Sequence, residues 1–313
     1  MILPTDRTLL RGRQVHSRVT GPGHAFREIG KHRAIYLMFL PVAVYFLLFA
    51  YYPFLKGMLM SFQANRILEP RPFVGIANYI QAVADPDFWQ ALLNSLVIGL
   101  LDAAFYFVLS LLLALAINEV AVRPARKTVQ TIAFIPFLLS WAVIGGVWAL
   151  IFDQRGIVSV VTGLFGARPL VYLAEPGLAR PLIIAMGIWR SIGYYAVMFM
   201  VAIVAVDPAL FEAARMDGAT RMQQIRLVII PSLGNTAKAI AVLLAMSVLT
   251  HFDEMYVMQN AANKRLIRSL LLYVYETGIL KFQTGLATAG AALVMAGSLL
   301  LVALTRRIVR YDA

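Results

Sequence analysis

Six runs of mostly apolar residues, each long enough to cross a bilayer as a helix, constrain this chain more than any other feature. They cover approximately residues 34–54, 94–117, 128–152, 181–206, 236–258 and 285–309, and charges, prolines or glycines separate each from the next. A hydrocarbon core of about 30 Å takes about 20 residues of α-helix. Helix is the expected form, because an open sheet leaves backbone groups unpaired in lipid. Composition agrees. Of 313 residues, 60% are hydrophobic and 14% charged, whereas a soluble domain carries about 25% charged residues. A soluble enzyme, a coiled coil, a collagen and a disordered chain are all excluded on that ground. There is no cysteine. That removes disulfides, thiolate metal sites, iron–sulfur clusters and a Cys nucleophile together.

The net charge of +12 reads as topology. Six crossings place both termini on one face. That face carries seven basic residues from Arg7 to Arg33, then Arg123, Arg126 and Lys127, then Arg215, Arg221, Arg226 and Lys238, and finally Arg306, Arg307 and Arg310. The opposite face carries ten, and Arg190 lies inside a span. Cytoplasmic loops hold the Lys/Arg excess, so both termini are expected in the cytoplasm, and no nucleic-acid partner is needed to explain the charge. Residues 1–33 read as a basic cytoplasmic tail; they are long and polar, unlike a cleavable signal. Residues 34–87 read as the first transmembrane helix and an outer loop, 88–309 as a five-helix domain, and 310–313 as the cytoplasmic C-terminus.

The cytoplasmic loop over 206–233, VDPALFEAARMDGATRMQQIRLVIIPSL, has a definite local structure. Asp207 is placed to cap a helix whose first residue is Pro208. Gly218 sits where that helix ends with positive φ. Thr220 and Gln223 form a capping box for a second short helix, which Pro231 ends or bends. Two short helices joined at a glycine therefore lie at the membrane surface. Small Ala213 and Ala214 would let the first helix enter a groove closely, and Glu212 offers a carboxylate to a partner.

This loop resembles the EAA loop of binding-protein-dependent ABC importers, whose pattern is EAA, three residues, Gly, nine residues, Ile, one residue, Leu-Pro. Glu212, Ala213, Ala214, Gly218, Val228, Ile230 and Pro231 occupy those positions, with Val for Ile and Ile for Leu; Asp217 and Ala219 complete the usual DGA. Further segments are similar to the carbohydrate-type permeases, including FVGIANYIQAVADPDFWQALLNSL. TVQTIAFIPFLLSW, GIWRSIGYY and VMQNAANKR look most like the branch that imports alginate or pectin oligosaccharides. Ala261, Ala262 and Asn263 replace the Gly-Gly-Pro of many neutral-sugar permeases. The resemblance implies an all-α integral membrane protein of the type I ABC importer fold in a bacterial inner membrane. It implies as partners a second homologous permease, two ATPase subunits and an extracytoplasmic solute-binding protein. ATP and Mg would be bound by the ATPase, with no cofactor or metal in this chain.

Charges inside spans are costly and default to function. Arg190 lies about ten residues into its span, roughly 15 Å deep at about 1.5 Å per residue, and Asp102 lies at comparable depth. Asp253 and Glu254 are near the outer end of the fifth span. An Arg and carboxylates together form either a buried ion network or a cavity wall where Arg190 meets sugar oxygens or a uronate carboxylate. Trp189, Tyr194, Tyr195 and Tyr256 offer ring faces to a pyranose, and Gln259 and Asn260 offer polar edges; interfacial belts use the same residue types. Lys264, Arg265 and Arg268 add an outer basic cluster. These basic groups and the branch resemblance tilt the substrate toward anionic oligosaccharides. The sequence has no G-x-x-x-x-G-K-[ST], HExxH or G-x-S-x-G motif, so ATP binding by a P-loop and a membrane enzyme both lack their residues. A self-sufficient secondary transporter or channel would leave the 212–231 motif unexplained.

Overall fold

The computed structural model describes residues 33–66 and 71–310; the expectations for the tail over residues 1–32 and for residues 311–313 lie outside them. Two units, 1–56 and 57–313, divide the chain. The first contributes most of helix α1, Arg33–Met60, which contains Pro41 and a π-helical turn over Leu47–Tyr51.

The described residues of the second unit are mostly helical. Among the described residues the only strand-like pairing is an isolated bridge of Gln63 with Phe73. Helix α2, Ala77–Ala84, leads into α3, Pro86–Glu119. Asp85 caps α3 by accepting from the Asp87 amide at 2.9 Å, and Pro86 occupies the first turn, where its missing N–H costs nothing. Its 34 residues span about 50 Å at about 1.5 Å each, more than the hydrocarbon core needs. Helices α4, Arg123–Leu138, and α5, Trp141–Ile151, meet at 97°. After α6, Ile157–Gly163, come α7, Pro176–Val204, α8, Pro208–Met216, and α9, Arg221–Ser232, which joins α10, Gly234–Ser247, at a 61° bend. Three short helices follow: α11, Asp253–Met258, α12, Lys264–Ile267, and α13, Leu270–Leu280. The last is α14, Thr284–Val309.

Four of these helices are long and apolar enough to cross a membrane, and six crossings result if each bent pair makes one. Two spans thus differ from their sequence expectation. The run over 128–152 is not one helix: Leu139 is extended (ψ 140°) and Ser140 starts a new helix, its side chain accepting from the Val143 amide. The run over 236–258 stops at Ser247. Ser247 and Thr250 donate to the last-turn carbonyls of Leu244 and Met246, which satisfies a helix end inside the bundle. Both breaks are seated by close backbone approaches. At Gly193 of α7 a Cβ would collide with the Ala133 carbonyl of α4, and at Gly99 of α3 with the Val248 carbonyl just after α10.

Apolar packing joins the long helices. Phe199, Ile240, Ala114 and Ile229 are fully enclosed between α3, α7, α9 and α10. At one end Asn94 of α3 donates to the carbonyls of Arg265 and Arg268 at 3.0 Å and accepts from Arg180 at 2.6 Å. Arg268 reaches Asp87 at 2.8 Å and Glu276 at 3.0 Å, and Lys264 reaches Glu276 at 2.8 Å. The outer basic cluster is therefore largely paired, and it fixes the short helices to α3.

Candidate functional site

The break between α4 and α5 and the gap between α10 and α11 both open onto one polar chamber of about 230 Å³. Phe137 and Trp141 flank the first, and Ser247 and residues 250–254 come from the second. Tyr106 of α3 and Arg190, Ser191 and Tyr195 of α7 complete the wall. Arg190 is at the midpoint of α7, and Asp102 is near that of α3. Non-helical backbone at such depth is tolerated where it lines a cavity. Discontinuous helices that meet near the midplane are a recurrent way to build a transport site. A wider groove between α4 and α7, lined by Gln130, Phe134, Met200 and Val204 among others, carries no charged side chain, so the polar chamber is the candidate site.

Two charged arrangements share the chamber. Arg190 donates from Nη2 to the Leu139 carbonyl at 3.3 Å and to the Phe137 carbonyl at 3.4 Å, and from Nε to Leu139 at 3.4 Å. These are the orphan carbonyls of the last turn of α4, where a cation is favoured. Its guanidinium also lies 5.1 Å from the Phe137 ring centre and 5.0 Å from that of Trp141. Across the chamber, His251 Nδ1 bonds Glu254 Oε1, and its Nε2 lies 3.9 Å from Asp102 Oδ2. Two of the three carboxylates expected near Arg190, Asp102 and Glu254, are thus gathered on a histidine instead. No carboxylate lies within 4.0 Å of Arg190 among the described residues.

Of the path residues expected from sequence, Arg190, Tyr195, Asp253 and Glu254 line the chamber. The others do not. Tyr194 stacks on Phe137 at 4.2 Å, and Trp189 stands edge-on to Trp148 at 5.5 Å. Tyr256 packs on Phe252 and Tyr275. Asn260 closes a turn by accepting from the amides of Ala262 and Asn263 at 2.9 Å, and Gln259 lies half-buried beside it. Tyr106, Phe137, Trp141, Ser191, Ser247, Thr250 and Phe252 went unremarked in the sequence, because polar side chains spread over four spans show no local pattern. His251 carried a signal: it is the one histidine of four outside residues 1–32.

At the opposite end of α7 lies the elbow of α8 and α9. Asp207 accepts from the Ala209 amide at 2.9 Å, Gly218 has φ +74°, and Thr220 and Gln223 form a reciprocal capping box. Glu212, Ala213, Asp217, Gly218 and Pro231 are exposed, while Ala214 and Ala219 are half-buried. The second limb, α9, contains a π-helical turn, Ile225–Ile229. The elbow is tied to α3 by a bidentate pair, Arg221 Nε and Nη2 donating to Glu119 at 2.8 and 2.7 Å. Arg126 of α4 donates to the Asn118 and Val120 carbonyls beside it. The Arg221–Glu119 side chains remain 44% and 38% exposed, so Glu119→Gln should lower stability by less than about 1 kcal/mol in a thermal melt.

Residues 106–310 match the model of the binding-protein-dependent transport system inner membrane component family. The polygalacturonan/rhamnogalacturonan transport system permease protein YteP of Bacillus subtilis (strain 168) is 32% identical over 290 residues, covering 90% of this chain and 88% of its own length. A crystal structure of a bacterial ABC transporter involved in the import of the acidic polysaccharide alginate matches 92% of this chain and 98% of its own, with TM-score 0.84 and 27% identity. The bacterial alginate ABC transporter in complex with an alginate pentasaccharide-bound periplasmic protein matches 92% of this chain and 99% of its own, with TM-score 0.83 and 26% identity.

Proposed function

The chain belongs to the binding-protein-dependent transport system inner membrane component family, and from that premise we propose that it is one half of the membrane path of an ATP-driven oligosaccharide importer. Members of the family are transport permease subunits rather than catalytic enzymes, and the apolar helices make this a multi-pass membrane protein. In the proposed arrangement the two bent pairs each make one crossing, giving six, with both termini in the cytoplasm. The chamber faces a second, homologous permease. Its volume of about 230 Å³ is below the about 300 Å³ at which small-molecule sites begin, which fits half of a shared site. A loaded solute-binding protein docks on the outer loops; the similar alginate transporter forms a complex with an alginate pentasaccharide-bound periplasmic protein. ATP and Mg are held by two separate ATPase subunits.

The observation that carries this reading is the elbow. Glu212 stands exposed on a capped helix, without a bonded partner among the described residues, beside a glycine in a conformation other residues avoid. Glu212, Ala213, Ala214, Asp217, Gly218, Ala219 and Pro231 would be gripped by the ATPase, whose closure moves α8 and α9 as a rigid body. The spans then alternate between outward and inward access, and sugar passes Arg190, Tyr195, Asp253 and Glu254. A self-sufficient carrier would have no use for such an elbow. The test uses the assembled complex with its binding protein in proteoliposomes. Glu212→Ala and Gly218→Val should each remove most cargo-stimulated ATP hydrolysis and uptake while the chain still inserts and assembles. Unchanged uptake in both variants would refute the coupling role.

A further inference from the structure

Arg190 is a cation near the middle of the bundle that is bonded only to neutral groups. Its three hydrogen bonds, at 3.3–3.4 Å, lie beyond the usual 2.7–3.2 Å range for N–H···O. The nearby carboxylates are otherwise disposed: Glu254 is bonded to His251, and Asp102 lies behind that ring. Asp253, exposed on the chamber wall, has no bonded partner among the described residues. The contacts that Arg190 does make straddle the break in the third span, with the Phe137 and Leu139 carbonyls before it and the Trp141 ring after it. The guanidinium therefore holds the bend between α4 and α5.

We propose that Arg190 is a clasp on the bend of the third span and that a carboxylate on the cargo undoes it. This rests on the transport reading above. A sugar carboxylate presents two ionised oxygens to the guanidinium fork, and such bidentate bonds, at about 2.7–2.9 Å, are shorter than the 3.3–3.4 Å bonds to uncharged carbonyls that they replace. Arg190 has three long bonds to give up for two short ones. The carbonyls of Phe137 and Leu139 are then released, and α5 is free to shift against α4. Asp253 accepts from hydroxyl groups of the same sugar. The ligand class that meets both groups is a uronate-containing oligosaccharide, with a carboxylate on one edge and hydroxyls on another. A neutral oligosaccharide satisfies Asp253 but leaves the clasp shut.

The chain has no cysteine, so Leu139→Cys places a single thiol at the bend. In the purified complex with its binding protein, a hydrophilic maleimide should label this thiol slowly without cargo. Labelling should be several-fold faster with an oligogalacturonate and unchanged with its methyl ester. Adding Arg190→Gln should give fast labelling without any cargo. In uptake, Arg190→Gln should lose the preference for the acid over the ester, and Arg190→Lys, which keeps charge but not the fork, should retain part of it. Equal labelling with and without Arg190 would overturn the clasp. Equal loss of acid and ester uptake in both variants would overturn the carboxylate role. Uptake of some oligosaccharide by the wild-type complex is the separate check on the transport reading, and the labelling comparison between Arg190 and Arg190→Gln stands without it.

Discussion

Replacing His251 with leucine is expected to destabilise the folded bundle by about 3–5 kcal/mol, the range measured when one partner of a buried ion pair is removed. The ring stands between two carboxylates from separate elements, Glu254 of α11 and Asp102 of α3. The three side chains are 10%, 9% and 4% exposed, so water does little of the screening. With leucine in its place, Glu254 loses its donor and both carboxylates face each other across an apolar gap. His251→Gln keeps a donor on the Glu254 side and should lose less. The double change His251→Leu with Glu254→Leu removes the orphaned acid as well as the ring. It should therefore be more stable than the sum of the single losses, with a coupling of about 0.5–3 kcal/mol. Thermal melts in one detergent of the wild type, His251→Leu, His251→Gln, Glu254→Leu and the double change decide this. A His251→Leu form that melts with the wild type would show that the ring does not join α11 to α3.

Part of this architecture is legible in the sequence and part is not, for a physical reason. The elbow is legible because its determinants are local. Asp207, Pro208, Gly218, Thr220 and Gln223 each act on backbone within a few residues, and the caps and the positive φ appear where those residues stand. The crossings are legible because lipid demands apolar length. The breaks are less so. Pro136 is a local signal three residues before Leu139, but what seats that break is Gly193 and Arg190, both of α7, and what seats the chain after α10 at Val248 is Gly99 of α3. The chamber shares that character. Arg190 and Asp102 stand out as charges within apolar runs, but that Arg190 caps α4 while Asp102 and Glu254 turn to His251 depends on packing between segments distant in the chain.

That dependence on packing predicts the effect of the smallest possible insertion at the bend. Gly193→Ala is expected to destabilise the protein by more than the about 1–3 kcal/mol typical of overpacking, and to disable transport. The added methyl meets the Ala133 carbonyl, which is helix backbone and cannot rotate away as a side chain would. Relief requires α4 to withdraw from α7. Arg190 lies one turn from Gly193 on α7, so withdrawal also lengthens its bonds to the Phe137 and Leu139 carbonyls and loosens the break they satisfy. Helix propensity acts in the opposite direction, since alanine is favoured over glycine by about 1 kcal/mol in a helix, so any net loss understates the clash. Gly146 of α5 supplies the comparison. It lies in a helix within the same broken span, and a Cβ there meets nothing within 4 Å. Gly146→Ala should therefore melt at or above the wild-type temperature while Gly193→Ala melts well below it. If both variants melted alike, α4 and α7 would not be in backbone contact at this point, and the seat assigned to the bend would be wrong.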